Sequence, residues 1–261
     1  MSYSALVLGC NKHNEIAKKY FALANKFWPE SLNRTIFCTD IVSDDIHSFC
    51  NRFAVGVNQS YKSRLVEGLK QCENDYVLVM LDDYYITKKI NDDDFAQLIN
   101  NLKKDNIAYC RLIGIPKCFK NYKKIKKAKV ISKKRHYGVS LQPSIWKKDV
   151  LLRILEGAKG DSAWETEVSL RVVQNKDEKC ICFNKNILHI KNGVLRGKLF
   201  PYTNRILKRN GIEQLRLEKI SYFKYAVFIF KQKISGYIPS CLRRTFKKIA
   251  TKFGANYYTD D

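Results

Sequence analysis

The stretch from Tyr76 to Ile86 reads YVLVMLDDYYI, an apolar run that stops at two adjacent carboxylates, Asp82 and Asp83. A bare Asp-Asp step has two readings. In the simpler one, both side chains accept hydrogen bonds from nearby backbone N–H groups in a turn. In the other, two acids at the carboxyl end of a central strand hold a divalent cation and a ribose hydroxyl together, which lets an acidic site grip a nucleoside diphosphate. A second acidic group lies in DSAWETEVSLR, where Ser162 and Glu165 have the S-x-x-E spacing of a capping box. There Glu165 would bond its own helix terminus, and Glu167 follows two positions later.

The elements that must position these acids can be read from periodicity. SALVLGC, RTIFCTD, RFAVGV and VLVML are short apolar runs suited to strands, alternating with helical spacing over 14–27 and 61–72. Strands apolar on both faces and alternating with helices predict an α/β chain with an open, mainly parallel sheet flanked by helices. In such sheets ligands sit beyond the carboxyl ends of the strands, which is where Gly9, Asp40 and the aspartate pair would gather. Further on, NDDDFAQLINNLKK is a helix with acids in its first turn. IAYCRLIGI and HYGVSLQPSIWKK read as strands, the latter passing into the helix DVLLRILEGA. DSAWETEVSLRVVQ reads as a capped helix, KCICF and NILHI as strands, and about 214–250 as helical and basic.

The chain has 261 residues, 45% of them apolar, and a formal net charge of +23. That is enough apolar material for one large domain, and wholesale disorder is excluded. Nearly all the excess charge sits in two segments. Residues 117–135 carry ten Lys/Arg and no acid, and residues 203–253 carry thirteen against Glu213 and Glu218. The nine cysteines are scattered without metal-ligand spacing and read as reduced core thiols of a cytoplasmic protein. No secretory signal and no spanning helix is expected.

Taken together, YKSRLVEGLKQCENDYVLVMLDDYYI, SLQPSIWKKDVLL, WETEVSLR and ILHIKNGVLRGK resemble the bacterial surface-polysaccharide glycosyltransferases of the GT-A fold, over roughly residues 3–212. The resemblance implies a Rossmann-like sheet and transfer of a sugar from a nucleotide-sugar, such as a UDP-sugar, to a glycan or lipid-linked glycan of lipopolysaccharide or capsule. It also implies Mn²⁺ or Mg²⁺ bridging the donor phosphates. The usual metal motif of that fold is Asp-x-Asp, whereas Tyr84 stands at the third position here. The resemblance accordingly assigns Asp83 to the cation and Asp82 to the ribose or donor sugar. His189 falls where the fold often supplies a further metal ligand; a structural strand-end histidine is the alternative.

The same resemblance makes Glu165 the general base of an inverting transfer, with Glu167 as the second candidate, and sets Trp164 against the acceptor sugar ring. Arg196 and Lys198 would neutralise the departing diphosphate, or else form a solvated basic turn at Gly197. Gly9, Asn11 and Asp40 belong to loops that hold the nucleoside. Arg64 would reach the base or phosphates, unless it is a plain exposed helix arginine.

Residues 213–261 read as a basic, amphipathic helical segment that associates with an anionic membrane surface. That would set the enzyme peripherally on the cytoplasmic face of the inner membrane. A solvated helix pair packed on the core is the alternative. A nucleic-acid-binding protein would also suit lysine-rich stretches with aromatic residues, but no recognition motif of that class occurs. A catalytically inactive scaffold that binds nucleotide-sugar would keep the fold and lose the acids, both of which are retained.

Overall fold

A computed structural model describes residues 3–235 apart from 43–45, 47, 48, 134, 136, 142 and 176; at 175 and 231–235 it describes the backbone alone. In chain order the elements begin with β1 (Ser4–Leu8), α1 (Asn14–Phe27), α2 (Pro29–Leu32), β2 (Thr35–Thr39), β3 (Asn51–Ala54) and α3 (Tyr61–Lys70). Next come β4 (Tyr76–Leu81), β5 (Tyr84–Ile86), α4 (Asp92–Lys104), β6 (Ile107–Arg111), β7 (Ala128–Val130), β8 (Ser144–Lys147) and α5 (Lys148–Glu156). The chain continues with α6 (Ala163–Leu170), β9 (Lys179–Phe183), β10 (Ile190–Asn192), β11 (Val194–Leu195), β12 (Lys198–Leu199), α7 (Thr203–Arg209) and α8 (Tyr222–Ser235).

Eight strands form the central sheet in the order β3-β2-β1-β4-β8-β6-β9-β7. Only β8 and β7 run against the other six, so the sheet is mainly parallel, as its apolar strands predict. Every residue of β1 and β6 is buried, because helices cover both faces. One apolar cluster joins α1 and α4 to one face; a second joins α3 and α5 to the other. Burial of these side chains at about 25 cal/mol per Å² is the main force holding the layers.

Register sets the site. Leu8 pairs with both Cys38 and Leu81, so the carboxyl ends of β2, β1 and β4 are level. Gly9 N–H donates to the Cys38 carbonyl (3.0 Å) and Asp82 N–H to the Leu8 carbonyl (3.2 Å). Immediately past its aspartates the chain turns into β5, which pairs antiparallel with β10. Gly193 N–H donates to the Asp83 carbonyl (2.6 Å), which fixes the next hairpin, β11–β12, over the same edge.

One expectation changes. The strand read over 136–148 is confined to Ser144–Lys147, because the preceding backbone is satisfied by side chains: Ser140 N–H donates to Tyr109 Oη (3.2 Å) and Leu141 N–H to Glu167 Oε1 (3.0 Å). The lysine segment folds back on itself as a hairpin, with Asn121 bridged antiparallel to Lys129; β7 pairs with β9 at the edge of the sheet, and Tyr122 and Lys124 both donate to Asp105 (3.1 and 2.8 Å). Contacts also run between residues on either side of 212. Asn204 exchanges two hydrogen bonds with the Leu215 backbone (2.9 and 3.0 Å), and Leu199 N–H donates to the Glu218 carbonyl (2.8 Å). Tyr225 and Phe228 of α8 then pack on the Phe200 ring (5.4 and 5.6 Å). The helix read over 214–250 is thus met by Tyr222–Ser235, and its continuation past 235 lies outside the described residues. Among the described residues no helix is long and apolar enough to cross a membrane.

Candidate active site

A cavity of about 260 Å³ opens at the carboxyl ends of β1 and β4, lined by Gly9, Cys10, His13, Tyr61, Arg64, Asp82, Asp83, Arg196 and Gly197 among others. Gly9 is there because nothing larger fits. A Cβ at this position would lie 2.6 Å from the Phe37 ring and 2.7 Å from Asp82 Oδ2. The aspartate therefore leans over bare backbone. Arg64, from α3, donates through Nη1 to the Gly9 carbonyl (3.0 Å) and closes the same corner.

The two aspartates are incompletely satisfied. Asp82 Oδ2 and Asp83 Oδ1 are both buried without a hydrogen-bond partner. Such atoms are costly unless something else meets them. Burial, and then the charge of its neighbour Asp83, pushes the Asp82 carboxyl well above the usual range. Burial pushes Asp83 up to about 7. Both residues form the turn between β4 and β5, and each carboxyl accepts a backbone N–H that pulls it back down, so the turn reading holds for one oxygen of each and leaves the other unmet. Two hard, orphaned oxygens at a cavity wall have the donor chemistry that Mg²⁺ or Mn²⁺ takes. Among the described residues no three His, Cys, Asp or Glu side chains are grouped to hold a metal ion. A cation here would therefore draw its remaining ligands from water and a bound phosphate.

The other expected residues fall into two sets. Asp40 and Asn11 are joined, for Asn11 N–H donates to Asp40 Oδ1 (2.5 Å). Burial alone would raise the Asp40 carboxyl, but donors from Asn11, Thr39 and its own neighbour Ile41 outweigh it and hold Asp40 below the ordinary value. Arg196 reaches the cavity at the tip of the two-residue β11–β12 turn, where Arg196 and Gly197 both have positive φ (53° and 75°). Lys198, one residue on, points elsewhere and pairs with Glu218 (2.7 Å). His189 is exposed and sits opposite Thr87, four positions along β10 from the Gly193–Asp83 contact. The fold does not bring it to the pair.

Glu165 is committed to its helix. Ser162 Oγ accepts from Glu165 N–H (3.2 Å), while Glu165 Oε2 accepts from Ser162 N–H (3.1 Å) and Ser162 Oγ–H (2.6 Å). Its carboxylate is exposed, and the Ser162 hydroxyl holds it below the ordinary value. Glu167 is different. Burial pushes it up to about 7, against the pull of the Leu141 N–H and the Arg171 guanidinium. Its charge is felt by Tyr61 and Tyr84, whose phenols burial raises first and which also sense Asp83. Glu167 does not itself line the cavity; it accepts from the Leu141 N–H (3.0 Å), and its raised carboxyl has the poise a general base needs. Sequence spacing favoured Glu165 because the capping box and the base position coincide there. The signal for Glu167 is its step along α6 toward the apolar face, next to Thr166 and Leu170, both fully buried.

His13, Cys10 and Tyr61 also line the cavity and carried no individual role in the sequence. Cys10 adjoins Gly9 and Asn11, His13 lies two residues past Asn11 and Tyr61 lies one helical turn before Arg64, and that proximity is the signal that could have found them.

No family model matches the sequence, and no curated protein matches it. Among solved structures, the chain is similar to residues 1–349 of S. aureus TarS, at a TM-score of 0.46 and 14% identity over 70% of this chain and 58% of that one. It covers 39% of the longer TarS chain. A nucleotidyl transferase from Methanothermobacter thermautotroptrophicus gives 0.46 and 10%, over 70% of this chain and 86% of that one. A UDP-glucose pyrophosphorylase complexed with UDP-glucose gives 0.45 and 11%, over 70% and 90%. The chain therefore spans less than two thirds of TarS, and likenesses this distant carry no conclusion about activity.

Proposed function

We propose that the protein is a nucleotide-sugar-dependent glycosyltransferase that elongates a surface glycan. The observation that carries this reading is the pair of buried, unpartnered carboxylate oxygens on Asp82 and Asp83, facing a cavity at the carboxyl ends of parallel strands. A diphosphate with its cation is a chemistry that satisfies both. Asp83 and the donor phosphates would hold Mn²⁺ or Mg²⁺, which would supply neutralisation of the leaving diphosphate. Asp82 would accept from a ribose or sugar hydroxyl, Asp40 and Asn11 would frame the nucleoside, and Arg64 and Arg196 would add positive charge where the diphosphate departs.

Glu167 takes the base role expected of Glu165. Near pH 7 it is poised to accept the proton of an acceptor hydroxyl as that oxygen attacks the anomeric carbon, which inverts the configuration there. The acceptor would be a glycan or lipid-linked glycan. Association with an anionic membrane, through the basic tail and the lysine segment, is part of the same proposal.

The test is incubation with a panel of nucleotide-sugars, a glycan acceptor and Mn²⁺, with products resolved by mass spectrometry. Acceptor gaining one sugar mass, with nucleoside diphosphate released, supports the reading. Pyrophosphate release from a nucleoside triphosphate and a sugar phosphate, without sugar transfer, would replace it with nucleotidyl transfer.

A further inference from the structure

Beyond Glu167, α6 and the 3₁₀ turn at Arg171–Asn175 carry side chains that no step above uses. Trp164 and Tyr137 are 46% and 42% exposed, and Val168 and Val172 are similarly open, so an aromatic and apolar strip faces solvent beside a half-buried acid. Between the two rings lies Arg171. Its guanidinium carbon is 4.7 Å from the Tyr137 ring centre and 5.5 Å from that of Trp164. Stacking of this kind holds the guanidinium plane while leaving its N–H edge available. Arg171 forms no ion pair among the described residues.

Helical spacing makes the strip continuous with the candidate base. Residues 164, 167, 168 and 171 fall at i, i+3, i+4 and i+7, and the Arg171 charge acts on Glu167. On its far side the strip meets the end of the lysine segment. Gln174 Nε2 donates to the carbonyls of Ser132 and Arg135 (both 3.0 Å), which pins that basic stretch against the turn bearing Arg171.

We infer that Trp164, Arg171 and Tyr137 form the acceptor subsite, and that the acceptor it takes is an anionic saccharide, one bearing carboxylate or phosphate groups. The inference rests on the glycosyl-transfer reading for the word acceptor, and on the strip itself for the saccharide. An aromatic ring offers a flat face to the C–H side of a pyranose, burying apolar area without demanding hydrogen bonds. A guanidinium with a free edge takes two oxygens of a carboxylate or phosphate at once. Neutral glycans have no use for the second device, and a plain polyanion has no use for the first.

Trp28 and Trp146 are buried, so a change in tryptophan fluorescence on adding saccharide reports on Trp164. The probes are hexagalacturonate, a phosphodiester-linked mannose oligomer, maltohexaose and sugar-free polyphosphate, each titrated at low salt and followed by calorimetry. One or both anionic oligomers should perturb Trp164 and bind at least about tenfold more tightly than maltohexaose or polyphosphate. Arg171→Gln should remove that preference, with its circular dichroism and melting unchanged, and Tyr137→Ala should weaken binding to a lesser degree. Equal binding of maltohexaose, equal binding of polyphosphate, no effect of Arg171→Gln, or no binding of either anionic oligomer overturns the inference. Thermal stabilisation by UDP with Mn²⁺ is read in parallel on the same proteins. Loss of that signal alone sinks the transferase reading and leaves an anionic-saccharide site; loss of saccharide binding alone does the reverse.

Discussion

Asp83 binds its proton more tightly in the folded protein than its ordinary value near 3.8 would allow, since burial lifts it to about 7. The sign of the linkage follows. The folded state is relatively favoured at low pH and loses stability as pH rises through the interval from about 4 to about 7, over which the unfolded chain has released this proton and the folded one has not. Asp83→Asn removes that penalty, so the free variant should be more stable than wild type at pH 8 by up to about 4 kcal/mol, and equal to it below pH 4. Denaturant melts at the two pH values check this; a variant less stable at pH 8 would show that Asp83 has a protein partner. At Glu167, Glu167→Gln should lower kcat by at least about 10²-fold and abolish the rise in kcat as pH passes 7, since the carboxylate must be ionised to act. Glu165→Gln keeps an accepted capping-box residue, so it should cost only a few tenths of a kcal/mol and leave that pH profile in place. Steady-state rates of both variants from pH 5.5 to 8.5 separate the two acids.

At the scale of elements, α4 depends on one side chain in its first turn. Asp92 accepts from Trp28 Nε1 (2.8 Å), Arg34 Nη2 (2.8 Å) and Tyr3 Oη (3.3 Å), joining α4 to β1 and to the end of α1. Asp92→Ala leaves the buried Trp28 and Tyr3 donors and the partly buried Arg34 unpaired and should destabilise the protein by about 2–4 kcal/mol, measured by urea unfolding. The strands β1, β2, β4, β6 and β9 were legible as apolar runs, and so was the site edge, because a parallel sheet gathers Gly9, Asp40 and Asp82 at one end whatever the details. What was not legible depends on long-range partners. The failure of 136–143 to extend β8 needs the Tyr109 hydroxyl and the Glu167 carboxylate, which come from β6 and α6. Glu165 and Glu167 differ by two positions in sequence and are separated only by which face of α6 meets the core. His189 and Lys198 were read from the order of motifs, and the registers of β5–β10 and β11–β12 turn both away from the aspartates.

For the whole molecule, nearly all the excess positive charge lies in residues 117–135 and 203–253. Attraction to anionic lipid is worth on the order of 1 kcal/mol for each Lys or Arg that reaches the headgroups, and salt weakens it. The full chain should sediment with anionic vesicles at low salt and be released at high salt. Shortening it to end at residue 235 should reduce that binding with little change in melting. A chain ending at 212 loses the Leu215–Asn204 pairing and the cover over Phe200, and should melt lower by about 5 °C or more. Identical melting of all three would support a boundary at 212.

The central claim is that Asp82 and Asp83 form a donor site for a nucleoside diphosphate and its cation. Titration calorimetry of UDP, GDP, ADP and CDP into wild type and Asp83→Asn, each with and without Mn²⁺ at pH 8, tests it most directly. Wild type should bind at least one diphosphate, and that binding should weaken more than tenfold when either Mn²⁺ or the Asp83 carboxylate is removed. Binding of equal strength in all four arms, or none to wild type with Mn²⁺, would contradict it.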